Sequence, residues 1–279
     1  MAMSHNHQKK IAVINDISGF GRCSIAVSMP VISHMGIQAC PLPTSIFSNH
    51  TGFPEYFFDD YTEKMPAYID NWKKLGLHFS GITSGFLGSR RQIEIVRQFI
   101  EDFKDPETRV LIDPVMGDNG KPYPTYTTEM CQEMKQLAEY ADILTPNLTE
   151  TCILLEEPYP DRPFTQLELF DMSKELCRYG AKKVVISGIP QGGYLANILC
   201  ESGQKPHLVR ARRVGKERSG TGDIFAAILA ADSVNGVSFT ESVHKAAHFI
   251  QDCILATERM DIPKTDGVCF EEVLYKLRR

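Results

Sequence analysis

The sequence predicts an α/β protein of three layers, a central and mostly parallel sheet covered on both faces by helices. Short apolar, β-like runs alternate with longer helical runs along most of the 279 residues, the pattern that parallel sheets with helical crossovers require. Turns rich in glycine and small polar residues follow several of those runs, where ligands of such sheets bind. The composition, 43% hydrophobic and 23% charged, is that of an ordinary globular protein able to bury a large core.

Taken in order, the strands are expected at 11–14, 37–40, 81–83, 110–112, 143–144 and 183–187. The helices between them fall near 22–35, 62–75, 89–104, 127–140, 147–156 and 165–179. A late strand pair, 194–200 and 208–214, precedes two helices at 222–235 and 239–258. There is no internal repeat or long linker, so 1–279 reads as a single domain, with 1–9 expected as a disordered N-terminal extension.

A formal net charge of −5 argues against general nucleic-acid binding but leaves room for a local anion site. No run approaches the roughly 20 apolar residues of a membrane span. The first ten residues lack the apolar centre of a signal peptide. The eight cysteines contain no C-x-x-C pair, and most sit in apolar segments. They suit reduced, buried thiols better than a disulfide or zinc framework, and the chain is expected in the cytoplasm.

The most informative stretch is Arg218-Ser219-Gly220-Thr221-Gly222-Asp223, followed by an apolar helical run. Two glycines at a helix mouth leave backbone N–H groups pointing forward, a nest that binds phosphate with the helix dipole behind it. Asp223 falls in the first turn, where a carboxylate is favoured and expected to stay ionised. A carboxylate beside an anion nest suits proton removal from a hydroxyl while the amides hold a phosphoryl group. A tight turn with a capping Asp has the same spacing. The nearby Arg210, Arg212, Arg213, Lys216 and Arg218 either add positive charge to the site or form a solvated face.

Other loops carry similar pairs of readings. Asn15-Asp16-Ile17-Ser18-Gly19 follows the first strand, as a ligand loop or as a helix cap. Phe47-Ser48-Asn49-His50-Thr51-Gly52-Phe53 offers hydroxyl, amide and imidazole groups between apolar walls, apt for a polar aromatic ring. Ser84-Gly85-Phe86 precedes a helix that Ser89 could cap. Asp113-Pro114-Val115-Met116-Gly117-Asp118 places two carboxylates at a strand end, suited to oxygen-loving cations. Asn147 and Glu150 have capping-box spacing, which also sets both side chains at one helix mouth. Ser187-Gly188 ends a further strand.

Gly220-Thr221-Gly222-Asp223 resembles the signature of the ribokinase-like small-molecule kinases. The runs F-S-N-H-T-G-F, S-G-F, D-P-V-M-G-D and N-x-x-E narrow the resemblance to the pyridoxal/pyridoxamine (vitamin B6) kinases, over about 11–255. It implies ATP-dependent phosphorylation of a B6 vitamer within a ribokinase-like αβα sandwich. Asp223 would be the base, and Gly220, Thr221 and Gly222 would hold the phosphoryl group. Asp16, Ser48, His50, Thr51 and Phe86 would bind substrate, with Thr51 on the ring and His50 ordering its loop. Asn147 and Ser187 would serve the nucleotide phosphates. Asp113, Asp118 and Glu150 would organise Mg²⁺ through water, with a K⁺ requirement left open, and the chain would form a homodimer. Asp16 departs from the pattern, standing where that family usually has serine, and D-x-S-G is similar to the hydroxymethylpyrimidine kinases of thiamine synthesis. That activity is the nearest rival, and a catalytically silent vitamin-binding protein is a rival of another class.

Overall fold

The computed structural model describes residues 5–277. In chain order its elements are β1 (Lys10–Ser18), α1 (Ile25–His34), β2 (Gln38–Phe47), β3 (Phe58–Asp60), α2 (Met65–Lys74), β4 (Gly81–Ser84) and α3 (Arg90–Phe103). There follow β5 (Arg109–Ile112), a small hairpin of β6 (Gly117–Asp118) and β7 (Lys121–Pro122), α4 (Thr128–Ala138), β8 (Ile143–Leu144), α5 (Leu148–Leu155) and α6 (Gln166–Arg178). The chain closes with β9 (Lys183–Gln191), β10 (Tyr194–Glu201), β11 (His207–Arg212), α7 (Thr221–Asn235) and α8 (Phe239–Arg259).

Nine strands form one sheet in the order β11-β10-β9-β8-β5-β4-β1-β2-β3. Pairings from β2 through β9 across the centre are parallel, and β3, β10 and β11 add antiparallel margins. Successive side chains in a strand face opposite ways, and the core divides accordingly. Ala12 and Ile14 pack under α2 to α6 with Val110 and Ile112. Ile11, Val13 and Leu111 pack under α1, α7 and α8. Residues 224–232 of α7 are all buried, which is why that helix is apolar on every side.

The caps expected at Ser89 and at Asn147–Glu150 are present, and others join them. Ser89, Thr127 and Ser238 each accept an N–H from the third residue on, and Asn147–Glu150 and Thr165–Glu168 form full capping boxes.

Three features differ from expectation. β1 runs on to Ser18, so Asn15-Asp16-Ile17-Ser18 is strand rather than loop. β2 runs to Phe47 and is followed by an unexpected edge strand, β3. β9 continues past Ser187-Gly188, because Gly188 takes a positive φ of 69° that bends the strand without ending it. Of the N-terminal extension, residues 1–4 lie outside the described residues. The part that is described is tied to the body: Asn6 donates to Gly76 O and accepts from His78 N–H, and Lys9 Nζ donates to Val234 O. Among the described residues no helix is long and apolar enough to cross a membrane. All eight cysteines are free thiols, five of them buried.

Candidate active site

The parallel strands β1, β4, β5 and β8 all point their C-terminal ends at one edge of the sheet, and α7 starts at that edge. Gly220 caps α7 with φ 86°, a left-handed conformation open to glycine. A Cβ there would also stand 2.3 Å from Arg22 O. Glycine is therefore required twice over. At Gly222 an added Cβ would meet nothing within 4 Å, so the helix mouth is open in front of its first N–H groups. Thr221 Oγ1 donates back to Arg218 O, 3.2 Å.

Asp223 is half-buried beside this mouth. Burial raises its pKa to about 6, and the Asp16 charge adds to the rise, while the Ser24 backbone and the Asn15 amide pull it back. Desolvation thus offsets the favourable helix start and raises the carboxyl, which near 6 still stays mostly ionised at neutral pH, as expected. A carboxyl near 6 is closer to what a general base needs at neutral pH.

Two more acids continue the row. Asp113, at the end of β5, accepts from Thr145 Oγ1 at 2.9 Å. Burial and the Asp223 charge push its pKa up. Glu150 is 4% exposed and accepts from the N–H groups of Asn147 (2.8 Å) and Met116 (3.2 Å) with separate oxygens. Burial and Asp113 hold it well above the usual carboxylate range. A row of acids that raise one another's pKa favours a neighbouring cation. Asp118 is exposed on β6 and accepts from the backbone and side chain of Asn119. It is near enough to Glu150 to add to that rise. Among the described residues no three His, Cys, Asp or Glu side chains stand ready to ligate one ion directly.

The nucleotide candidates are largely occupied with structure. Asn147 accepts from Glu150 N–H and donates to Gly117 O. Ser187 donates its backbone N–H to Pro146 O, which holds the end of β8 against β9. Arg218 is committed to Glu258 and Ile262 O and does not face the nest.

In the loop after β2, Ser48 Oγ donates to Asn49 Oδ1 and accepts from Phe57 N–H. His50 Nδ1 accepts from Gly52 N–H, so its Nε2 carries the proton it gives to Thr265 O at 2.6 Å. His50 thus ties the loop to the C-terminal segment, which is also joined to the nest through Val268 N–H on Ser219 O. Phe53 lies between Phe20 and His50, 5.6 and 4.9 Å from their centroids. Thr51 is exposed and makes no side-chain hydrogen bond among the described residues. Phe86 is half-buried and held by its N–H to Asn15 Oδ1 and its carbonyl to Thr44 Oγ1. Asp16 is 5% exposed, accepting Ser24 Oγ at 2.6 Å and Ser18 Oγ at 3.1 Å. Burial raises its pKa.

Asn15, Ser24, Thr145 and Thr265 were not singled out from sequence. For Asn15 a signal existed: an amide directly after four apolar strand residues, where the sheet meets its ligands. Ser24, Thr145 and Thr265 have no comparable mark.

Residues 31–267 match the phosphomethylpyrimidine kinase family model. A Bacteroides thetaiotaomicron protein assigned as a phosphomethylpyrimidine kinase superposes with a TM-score of 0.95 at 39% identity, over 99% of this chain and 96% of that one. Its orthorhombic crystal form, with pyridoxal, gives 0.92 at 38% identity over 97% and 96%. Pyridoxal kinase PdxY of Pasteurella multocida is 29% identical over 81% of this chain and 82% of its own length. At the level of fold, the pyridoxal kinase of Leishmania donovani in complex with ADP aligns with a TM-score of 0.86 at 20% identity, over 96% and 95% of the two chains. The chain belongs to the phosphomethylpyrimidine kinase family and has the ribokinase-like fold.

Proposed function

We propose that this protein is an ATP-dependent kinase that phosphorylates the 5′-hydroxymethyl group of pyridoxal, pyridoxamine or pyridoxine. The observation that carries the reading is Asp223, a half-buried carboxylate raised to about 6 and set beside an open, glycine-capped helix mouth. The pyridoxal found with the Bacteroides relative and the pyridoxal kinases among the similar proteins support it.

In this reading the vitamer ring lies between Phe86 and the 47–53 loop. Thr51 offers the hydroxyl left free for it, and His50 and Ser48 hold the loop in shape. Asp223 takes the proton as the hydroxymethyl oxygen bonds to the γ-phosphorus of ATP and the bond to the departing ADP oxygen breaks. The N–H groups at Gly220, Thr221 and Gly222 receive the phosphoryl oxygens, and little else is asked of the protein beyond positioning and charge. Asn147 and Ser187 are assigned to the nucleotide phosphates through the family resemblance. The acid row fits Mg²⁺, which would neutralise phosphate oxygens when bound. Asp113 and Glu150 would hold it through water, with Asp118 at the outer end. A single domain and a cytoplasmic location belong to this reading from the sequence pattern and composition, and a homodimer belongs to it through the family resemblance, with the K⁺ requirement open.

A second reading, a hydroxymethylpyrimidine kinase, is favoured by Asp16-x-Ser18-Gly19 and by the family description. Steady-state ADP release with each alcohol, with and without Mg²⁺ and K⁺, separates the readings. Pyridoxal is expected to give the higher kcat/KM. A higher value for hydroxymethylpyrimidine overturns the assignment, and no ADP release with either alcohol makes the protein a binder.

A further inference from the structure

We propose that Asn15 is a positioning residue for the base, its side-chain amide pinning the Asp223 carboxylate to the turn that carries Phe86. This rests on the kinase reading, in which Asp223 takes the proton.

Asn15 is 5% exposed at the C-terminal end of β1. Its Oδ1 accepts two backbone N–H groups, from Asp16 at 3.0 Å and from Phe86 at 2.9 Å. Two donors on one atom settle which end of the amide is oxygen. The group facing Asp223 Oδ1, at 3.3 Å, is therefore the Nδ2 donor. Two further features of the backbone serve this arrangement. The β1–β2 register shifts between Asn15 and Ile17, an irregularity of the kind that re-aims side chains beside functional sites. Gly85 packs against the amide: a Cβ there would stand 2.4 Å from Asn15 Nδ2 and 2.7 Å from its Cγ. Gly85 has no positive φ, so its lack of a side chain makes room for Asn15 rather than for a turn.

The Asn15 amide restrains one carboxylate oxygen, with the Ser24 backbone acting on the same group, and this narrows the directions from which the carboxylate can meet the substrate hydroxyl. The same amide oxygen secures the Phe86 turn. The residue covering the ring and the base that acts on its hydroxymethyl group thus share one anchor, which keeps the reacting oxygen and the base in register.

The test compares variants that separate the two ends of the amide. Asn15→Asp keeps an oxygen for the Asp16 and Phe86 N–H groups, removes the donor and adds a negative charge beside Asp223. It is expected to lower kcat about 10–100-fold, the range for a hydrogen bond to a charged group, with KM for pyridoxal within about threefold. Gly85→Ala leaves Asn15 and the local charge intact but displaces the amide, and is expected to lower kcat by a similar factor. In an Asp223→Asn background, Asn15→Asp should cost less than about twofold more, because two residues acting through one group are not additive. The proposal is overturned if Asn15→Asp keeps half or more of wild-type kcat while Asp223→Asn is crippled. It is equally overturned by a full, additive loss in the double variant. Retention of activity by Asp223→Asn alone removes the base assignment itself, and that failure is visible in the single variant.

Discussion

Asp223, Asp113 and Glu150 stand at the ends of central strands and at helix mouths, with their carboxyl groups enclosed by the sheet and by α7 and α5. The 48–58 segment hangs from β2 beside the edge strand β3 and is mostly exposed. On the acid side, enclosure alters chemistry: each carboxyl is harder to ionise than a free one. On the loop side, Ser48, Asn49 and His50 use their side chains to hold the loop's own shape, and enclosure contributes little. In the proposed reading the reaction is placed on rigid elements, where misplacement is most costly, and recognition is left to an exposed segment. Substitutions on the acid side should therefore change rate steeply, and those on the loop should change affinity modestly.

The largest expected effect is that of Asp223→Asn. A general base typically contributes 10²–10⁴-fold, so kcat and kcat/KM should both fall by about that factor, as for an interaction made chiefly in the transition state. In the wild type the acid limb of kcat/KM should bend near pH 6, the value to which burial raises the Asp223 carboxyl. The same burial predicts an opposite effect on stability. The folded state holds this proton more tightly than the unfolded chain, so stability from this group is lost as pH rises from about 4 through about 6. Asp223→Asn should then melt higher than wild type at pH 8, by on the order of 1–3 kcal/mol, and the gain should vanish below about pH 4. Retention of more than a tenth of kcat, with phosphoryl transfer rate-limiting, would move the base elsewhere, first to Asp16.

Next in size is Asp113→Asn. Its neutral amide should raise the Mg²⁺ concentration for half-maximal rate by roughly tenfold, since a metal-bound water loses a charged acceptor worth ~1.5–3 kcal/mol. Removing a buried charge that is itself unfavourable should leave the melting temperature at pH 8 unchanged or higher. A lower melting temperature with an unchanged Mg²⁺ requirement would make Asp113 a purely structural partner of Thr145 and erase the contrast drawn above.

Much of this contrast is legible in the chain, because it rests on local patterns. The strand–helix alternation follows from periodicity, and the Asn147–Glu150 box and the glycine-flanked mouth of α7 follow from spacing that works within one turn. What the sequence hides is set by distant partners. Asn15 and Asp16 look like loop because they are polar, yet they extend β1, since the strand's end is where the sheet presents polar groups to a ligand. β3 is a short and polar edge strand whose existence depends on pairing with β2. The rise in the Asp223 pKa comes first from burial and then from the charge of Asp16, far upstream in the chain, which no first-turn argument contains.

The smallest effect, and the sharpest probe of the loop, belongs to Thr51→Val. Thr51 is exposed and its hydroxyl has no hydrogen-bond partner among the described residues, so the isosteric change should leave the melting temperature within about 1 °C, as for most surface substitutions. If the hydroxyl serves the vitamer ring, one neutral hydrogen bond is lost on binding, worth roughly 0.5–1.5 kcal/mol. KM for pyridoxal should rise about 2–12-fold by that measure, while KM for ATP and the Mg²⁺ requirement stay put. His50 cannot serve as well for this purpose, because its two ring nitrogens hold Gly52 and Thr265 and any substitution there disturbs the loop itself. A change confined to KM for ATP would place the ring pocket elsewhere in the cleft. A fall in kcat as large as that of Asp223→Asn would show that loop and floor act as one unit, and that the division between a rigid catalytic side and a tolerant binding side does not hold.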